Sequence, residues 1–212
     1  MARVSRRSVS EGYVRVWKLM HADAWEKLQS QPVHIGYDLE NLVGTIYGAI
    51  YGFLIRQVSI RAGGDGKHIP WSYDLGKPDM REMRSHYGYG PMVRLELFVP
   101  VEQVMLHLHF PWYDVMHSYH RSILPETEKN EPALQAWQNE LVANGIEPIP
   151  STFGYPFPEP FQSRLEAGWE RIFDIDLATT DPREISVSFE RLDLGNVVSV
   201  QEFAGIGTRM KN

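Results

Sequence analysis

The sequence predicts an α+β fold: one domain in which a mixed or antiparallel sheet is covered by helices. Three observations predict it. Segments 13–20, 92–100 and 185–192 read as strands, with side chains alternating between two faces, while segments 42–55, 133–144 and 162–172 read as helices. In addition, 43% of the 212 residues are hydrophobic, enough to bury a substantial core. The domain is drawn at residues 13–205, behind a basic, disordered tail at 1–12.

Taken in order, the first strand, 13–20, places Val14 and Val16 on one face and Arg15 and Trp17 on the other, and a short helix begins near Asp23. Beyond Pro32, the residues Leu42, Ile46, Ala49, Ile50, Phe53 and Leu54 recur at helical spacing. Gly44, Gly48 and Gly52 stand every fourth residue among them, which predicts a buried helix that a neighbour approaches closely and that frays near Ile60. Residues 61–67 form a turn-rich loop. Residues 69–73 predict a short edge strand, because Pro70 has no amide to give a central ladder. A loop leading into one helical turn follows at 77–83.

The clearest strand is 92–100, with Val93, Leu95, Leu97 and Val99 on one face and Arg94, Glu96 and Phe98 on the other. After a turn at Glu102-Gln103 come a second extended piece at 104–110, a helix at 112–124 and a charged, exposed stretch at 125–130. A solvated helix at 133–144 stops at Gly145. Five prolines between 148 and 160 impose an extended crossing of the surface. A helix at 162–172 and two strands, 185–192 and 197–203, complete the chain.

Charge narrows the partners. With 21 basic against 27 acidic residues the formal net charge is -6, so no global field draws the chain to phosphate backbones or anionic lipid. Nucleic-acid binding would need a local patch, and the candidate is Arg3, Arg6 and Arg7. The absence of cysteine excludes disulfides, thiolate metal sites and a cysteine nucleophile, and agrees with a reducing compartment. No segment approaches the roughly 20 apolar residues of a membrane span, and Glu11-Gly12 stand where a signal peptide would be apolar. The expected location is cytoplasmic.

One block is unlike chance composition: Gly168-Trp169-Glu170-Arg171-Ile172-Phe173-Asp174-Ile175-Asp176. It resembles the "SWERIFDLD" block of domain of unknown function 3841, a bacterial and phage family. Ile69-Pro70-Trp71-Ser72-Tyr73 with Lys77-Pro78-Asp79-Met80-Arg81 is similar to that family's "PVWAWY…KPDLR" element. Residues 95–100 and 102–106 are similar to its "LELEVPDEQVLL" strand and turn, Trp112, Val115-Met116 and Leu124-Pro125 to the following helix, and 185–203 to its closing pair of strands. The chain departs from the pattern at His107-Leu108-His109 and at Ser186-Val187-Ser188. The family brings no established activity. Its outline is similar to small ADP-ribosyltransferase-like domains, with a late strand that feeds a final hairpin, and this implies NAD as substrate.

Cleavage of the bond to nicotinamide develops positive charge on the sugar, so such a site needs a carboxylate, a cationic grip and an aromatic wall. The candidates are Glu190 and Glu96 as catalytic acids, with Arg15, Trp71, Tyr73, Ser186 and Ser188 around the dinucleotide. Period-two geometry puts Ser186, Ser188 and Glu190 on one face, for which the plainer and favoured reading is the wet outer side of an antiparallel sheet. Arg94 and Glu96 read equally as a surface pair. Lys77, Asp79 and Arg81 make a polar loop suited to ligand contact, with a solvated turn as the alternative.

His107, His109, His117 and His120 have spacings that can surround a divalent ion, although packing and hydrogen bonding suffice for them and no metal is expected. In the tryptophan block, Trp169, Ile172 and Phe173 predict a buried helix face, and Arg171 a buried or half-buried bidentate pair. Three readings follow. The first is an ADP-ribosyltransferase-like protein acting on a macromolecular target. The second is a non-catalytic protein- or nucleotide-binding module of a phage or bacterial conflict system, and the third a histidine-metal hydrolase.

Overall fold

Val16, Leu95, Leu97 and Val187 are buried to within a percent of completely, and they come from three strands of one sheet. The computed structural model describes residues 9–10, 12–38, 40, 46–79, 90–109, 131–146 and 157–204. Nine strands are described: β1 (Val9–Ser10), β2 (Tyr13–His21), β3 (Val33–Ile35), β4 (Trp71–Asp74), β5 (Pro91–Pro100), β6 (Met105–Leu108), β7 (Ile185–Phe189), β8 (Arg191–Asp193) and β9 (Val197–Ala204). The described helices are α1 (Ala22–Leu28), α2 (Ile46–Ala62), α3 (Glu131–Ala143) and α4 (Phe161–Trp169). The fold is α+β. Its main sheet runs β6-β7-β4-β2-β5-β9 with β1 added to β2, β3 and β8 form a separate ribbon, and every pairing is antiparallel.

Register divides the sheet into two faces. Val14, Val16, Leu95, Leu97, Val187 and Phe189 face one way and pack under α1 and the β3–β8 ribbon, whose Leu192 is wholly buried. The other face meets α2 over β6 and β7, where Phe53, Leu54, Trp137, Leu141, Leu165, Trp169 and Ile172 enclose Met105. Each such side chain taken out of water contributes about 1.5–3 kcal/mol before the entropy of ordering it. Among the described residues, no helix is long and apolar enough to cross a membrane.

Several expectations change here. Val9–Ser10 pair with Val14 and Tyr13 around Gly12 (φ +84°), so the last part of the basic tail belongs to the sheet, while Arg3, Arg6 and Arg7 lie outside the described residues. The strand after Pro70 is central, not an edge: Pro70 stops one residue short of the ladder, and Trp71–Asp74 pair with β7 and β2. α2 continues to Ala62. α3 is not solvated all round, since Trp137 and Leu141 are buried in the helical core. The closing strands form no hairpin. β7 lies between β6 and β4, a bend at Glu190 sends β8 to β3, and a turn at Leu194–Asn196 delivers β9 to the opposite edge on β5.

The tryptophan block is divided between the end of α4 and a tighter turn over Glu170–Phe173. Trp169 and Ile172 are buried, and the Trp169 ring meets Phe53 edge-on at 5.4 Å. Arg171, expected to be buried or half-buried in its pair, is exposed. Its neighbour Glu170 also anchors the block, accepting from Gln57 and, at 2.7 Å, from Arg61, both on α2. Arg61 also covers the Phe173 ring at 4.3 Å, so one α2 cation meets both a carboxylate and an aromatic face. The expected helix at 112–124 and most of the proline-rich crossing lie outside the described residues.

Candidate functional site

Hydrogen-bond register lines up one row of side chains across the main sheet: His107 opposite Ser186, Ser186 opposite Asp74, Asp74 opposite Trp17, Trp17 opposite Glu96, and Glu96 opposite Ser199. Directly opposed residues share a face, so this row lies on the side of the sheet turned away from the Val16 and Leu97 core. Two hydroxyl–imidazole contacts are made on this face. Ser188 Oγ is 3.0 Å from His107 Nε2, and Ser186 Oγ is 2.9 Å from His109 Nδ1. Burial pushes the His107 imidazole down to about 4, so it is neutral at ordinary pH. From the other face, where its ammonium lies 5.5 Å from the Tyr73 ring centroid, Lys18 donates to the Ser72 carbonyl at 2.7 Å. Burial lowers the Lys18 ammonium against the pull of Asp74, and burial raises the Asp74 carboxyl against Lys18 and His109.

A cleft of about 240 Å³ opens above the β6–β7 end of this face. Tyr51 and Leu54 of α2 form one wall, Gly36 and Tyr37 after β3 a second, and residues 69–72 a third, with His107 and Ser188 beneath. Loop meets loop closely on the second wall: a methyl group on Gly36 would lie 1.6 Å from the Ile69 carbonyl oxygen. Ser72 and Tyr37 are polar lining residues that are exposed. His107 and Ser188 have 0% exposure, so their hydroxyl–imidazole pair is sealed under the floor and bonds only within the protein.

Next to Gly36, Tyr37 and Ile69 stands a charged cluster. The Gly36 amide donates to the Glu190 carbonyl at 3.2 Å, the Ile69 amide to the Tyr37 carbonyl at 2.7 Å, and the backbones of Asp38 and His68 form a bridge. Within this frame His68 has Asp65 Oδ2 2.8 Å from Nδ1 and Asp38 Oδ1 3.1 Å from Nε2. The Asp65 amide donates to Glu190 Oε2 at 2.7 Å. Burial pushes the Glu190 carboxyl up, and the charge of Asp65 adds to that against the amide bond. Asp65 is held below the usual carboxylate range: desolvation, the largest single influence, opposes the shift, and the Lys67 amide, His68 and Glu190 together outweigh it.

The residues expected to converge on a dinucleotide are distributed over three places. Trp71 and Ser188 border the cleft, and Glu190 lies beside its Gly36 wall. The Trp71 ring itself turns toward His34, edge-on at 6.4 Å. Arg15 is engaged elsewhere: its Nε donates to Glu96 at 2.6 Å and its guanidinium covers Trp17 at 5.1 Å, so cationic grip and second acid are bound to each other. Tyr73 is 1% exposed in the opposite, apolar core against Phe189, where burial pushes its phenol up and its hydroxyl has no partner among the described residues. Alternation along β4 dictates this, because Ser72 and Tyr73 must point to opposite faces.

Ser186 and Ser188 do share a face, but a buried one in place of the wet surface expected, because α2 covers β7. Glu190 leaves that row at the bend between β7 and β8. Arg94, expected to pair with Glu96, donates to Gln201 at 2.5 Å and to the Pro78 carbonyl at 3.1 Å. Lys77 and Asp79 are exposed and line no part of the cleft, and Arg81, His117 and His120 lie outside the described residues. His107 and His109 each face a serine. Tyr37, Tyr51, Asp38 and His68 were not singled out by sequence. A visible signal was the Asp65-x-x-His68 spacing inside a glycine-rich turn, which holds both side chains on one side of the loop.

Comparison with protein-family models, with curated proteins and with solved structures gives no match.

Proposed function

We propose that the protein binds a small planar heterocycle, neutral or cationic, in the cleft between α2 and the loops that follow β3 and precede β4. The observation that carries this reading is the lining. Tyr37 and Tyr51 stand with Leu54, Ile69 and Pro70 around an opening of about 240 Å³, with the Ser72 hydroxyl among them. Ligand pockets for drug-sized molecules run to ~300–1,000 Å³, so this cleft suits one ring system and not a whole dinucleotide. Among the described residues, no lysine or arginine lines it, and Asp38, Asp65 and Glu190 stand at its margin. A bare phosphate is therefore disfavoured, and a ring of positive or neutral charge is favoured.

The nicotinamide end of NAD belongs to that chemical class, and the placement of Glu190 beside the cleft favours it as a second reading. In an ADP-ribosyl transfer Glu190 would be the anion near the sugar. Arg15, Glu96 and Tyr73 take no part in it, being held in the pairings described above.

The test is ligand-observed nuclear magnetic resonance and calorimetry with nicotinamide, adenosine and NAD on the folded chain. Saturable binding of at least one of them, weakened at least tenfold by Tyr51→Ala, supports the reading. Absence of binding by all three at about 1 mM, the weak end of specific affinity, overturns it. Release of nicotinamide from NAD, lost in Glu190→Gln, separates the transferase reading from simple binding.

A further inference from the structure

His68 is the centre of an arrangement that the cleft reading leaves unused. Both of its ring nitrogens face carboxylate oxygens, Nε2 toward Asp38 at 3.1 Å and Nδ1 toward Asp65 at 2.8 Å. Each nitrogen must present a positive end to its acid: an N–H on one side and, on the other, either a second N–H or a metal ion. One oxygen of Asp65, one nitrogen of His68 and one oxygen of Glu190 all lie within 4.8 Å of one another, the mutual spacing of ligands on a single cation. Among the described residues, no lysine or arginine pairs with Asp65 or Glu190 to balance the two carboxylates.

We propose that Asp65, His68 through Nδ1, and Glu190 bind a divalent cation, with Asp38 holding the Nε2–H of His68 from behind. A carboxylate on the far nitrogen of a ligating histidine fixes its tautomer and ring orientation, and it is a regular partner of imidazole–metal bonds. The ligands are held by main chain before any ion arrives. Residues 36–38 are tied to 68–69 through the Asp38–His68 bridge and the Ile69 amide, and to residue 190 through the Gly36 amide. Gly64 completes the frame, since a methyl group there would meet Glu190 Oε2 at 2.7 Å.

Two carboxylates and one imidazole suit Mn²⁺ or Zn²⁺, and three protein ligands leave coordination positions for water or a bound molecule. Insofar as it rests on the cleft reading, the consequence is specific. A cation at this margin would turn an acidic rim into a receiver for a phosphate or carboxylate carried by the ring in the cleft.

The experiment uses the full, tag-free chain, treated with chelator and dialysed. Mn²⁺ is titrated while electron paramagnetic resonance follows the free ion, and Zn²⁺ is titrated in competition with a chromophoric chelator. One saturable equivalent is expected, with nitrogen modulation from one imidazole in the pulsed spectrum of bound Mn²⁺. His68→Gln should abolish binding and Asp38→Asn should weaken it by ~10–100-fold, each with circular dichroism matching the parent. No saturable binding of either ion by the parent, or binding unchanged in either variant, overturns the proposal. These titrations contain no heterocycle, and heterocycle binding is measured in chelator, so either result can fail without the other.

Discussion

The Ser188 hydroxyl lies 3.0 Å from Nε2 of His107, across the β6–β7 pair, and neither side chain reaches solvent. A hydroxyl beside a neutral imidazole is the beginning of a nucleophile, but attack requires access, and α2 and the strands deny it. The pair is a buried polar contact that ties two strands together, and its consequence is thermodynamic.

In the folded chain His107 titrates at about 4, and in the unfolded chain near the ordinary histidine value of about 6.5. Above about 6.5 neither state holds the proton and its contribution is complete. As the pH falls from there toward 4, the unfolded chain takes up a proton that the folded chain refuses, so stability declines by up to about 3 kcal/mol and then levels off. Urea unfolding between pH 7 and 4 should show this slope in the parent and lose it in His107→Gln. Comparing the two chains also removes the contribution of Asp74. Its raised carboxyl works the other way, stabilising at low pH and losing that effect as pH rises.

Arg15 and Glu96 occupy diagonal positions on β2 and β5 and bond through Nε at 2.6 Å. With side-chain exposures of 34% and 17% the pair is partly screened, so a coupling of about 1 kcal/mol is expected from a double-mutant cycle of Arg15→Ala and Glu96→Ala. The coupling is read from chemical denaturation. A value indistinguishable from zero would show that the pair is placed but does not stabilise.

Gly36→Ala puts a methyl group onto the Ile69 carbonyl oxygen, a contact that only a backbone shift can relieve. Overpacking of this kind costs about 1–3 kcal/mol. The same shift displaces a cleft wall, so heterocycle affinity should fall along with the urea midpoint. Unchanged affinity in a destabilised variant would place the ligand elsewhere.

Leu165 and Trp169 lie on the inner side of α4, fully enclosed by α2 and α3. Leu165→Ala should cost about 2–5 kcal/mol and Trp169→Ala about 3–5 kcal/mol, by lost burial and by the cavity left behind. Thermal unfolding measures both, and a loss below 1 kcal/mol for Trp169→Ala would mean that the block is not part of the helical core.

The strands at 13–20 and 92–100 were legible because alternation along one strand is a local property, and β2 and β5 each carry an uninterrupted period of two. What sequence could not give was which strands become neighbours. Pro70 implied an edge, yet the ladder begins one residue later and β4 is central. Ser186 and Ser188 looked wet because they are polar, and only the arrival of α2 over β7 buries them. The cluster around His68 was hidden for the same reason. Asp38, Asp65 and Glu190 come from three distant segments, and pairing between loops, not any motif, brings them together.

Because β7 is inserted between β6 and β4, those two strands have no contact of their own in the ladder order. A ribosome making this chain releases residues 71–74 and 105–108 long before 185–189 exist to join them. Until then the nascent polypeptide presents bare backbone edges able to recruit stray strands. Insertion of one five-residue segment, made after both, closes the two seams.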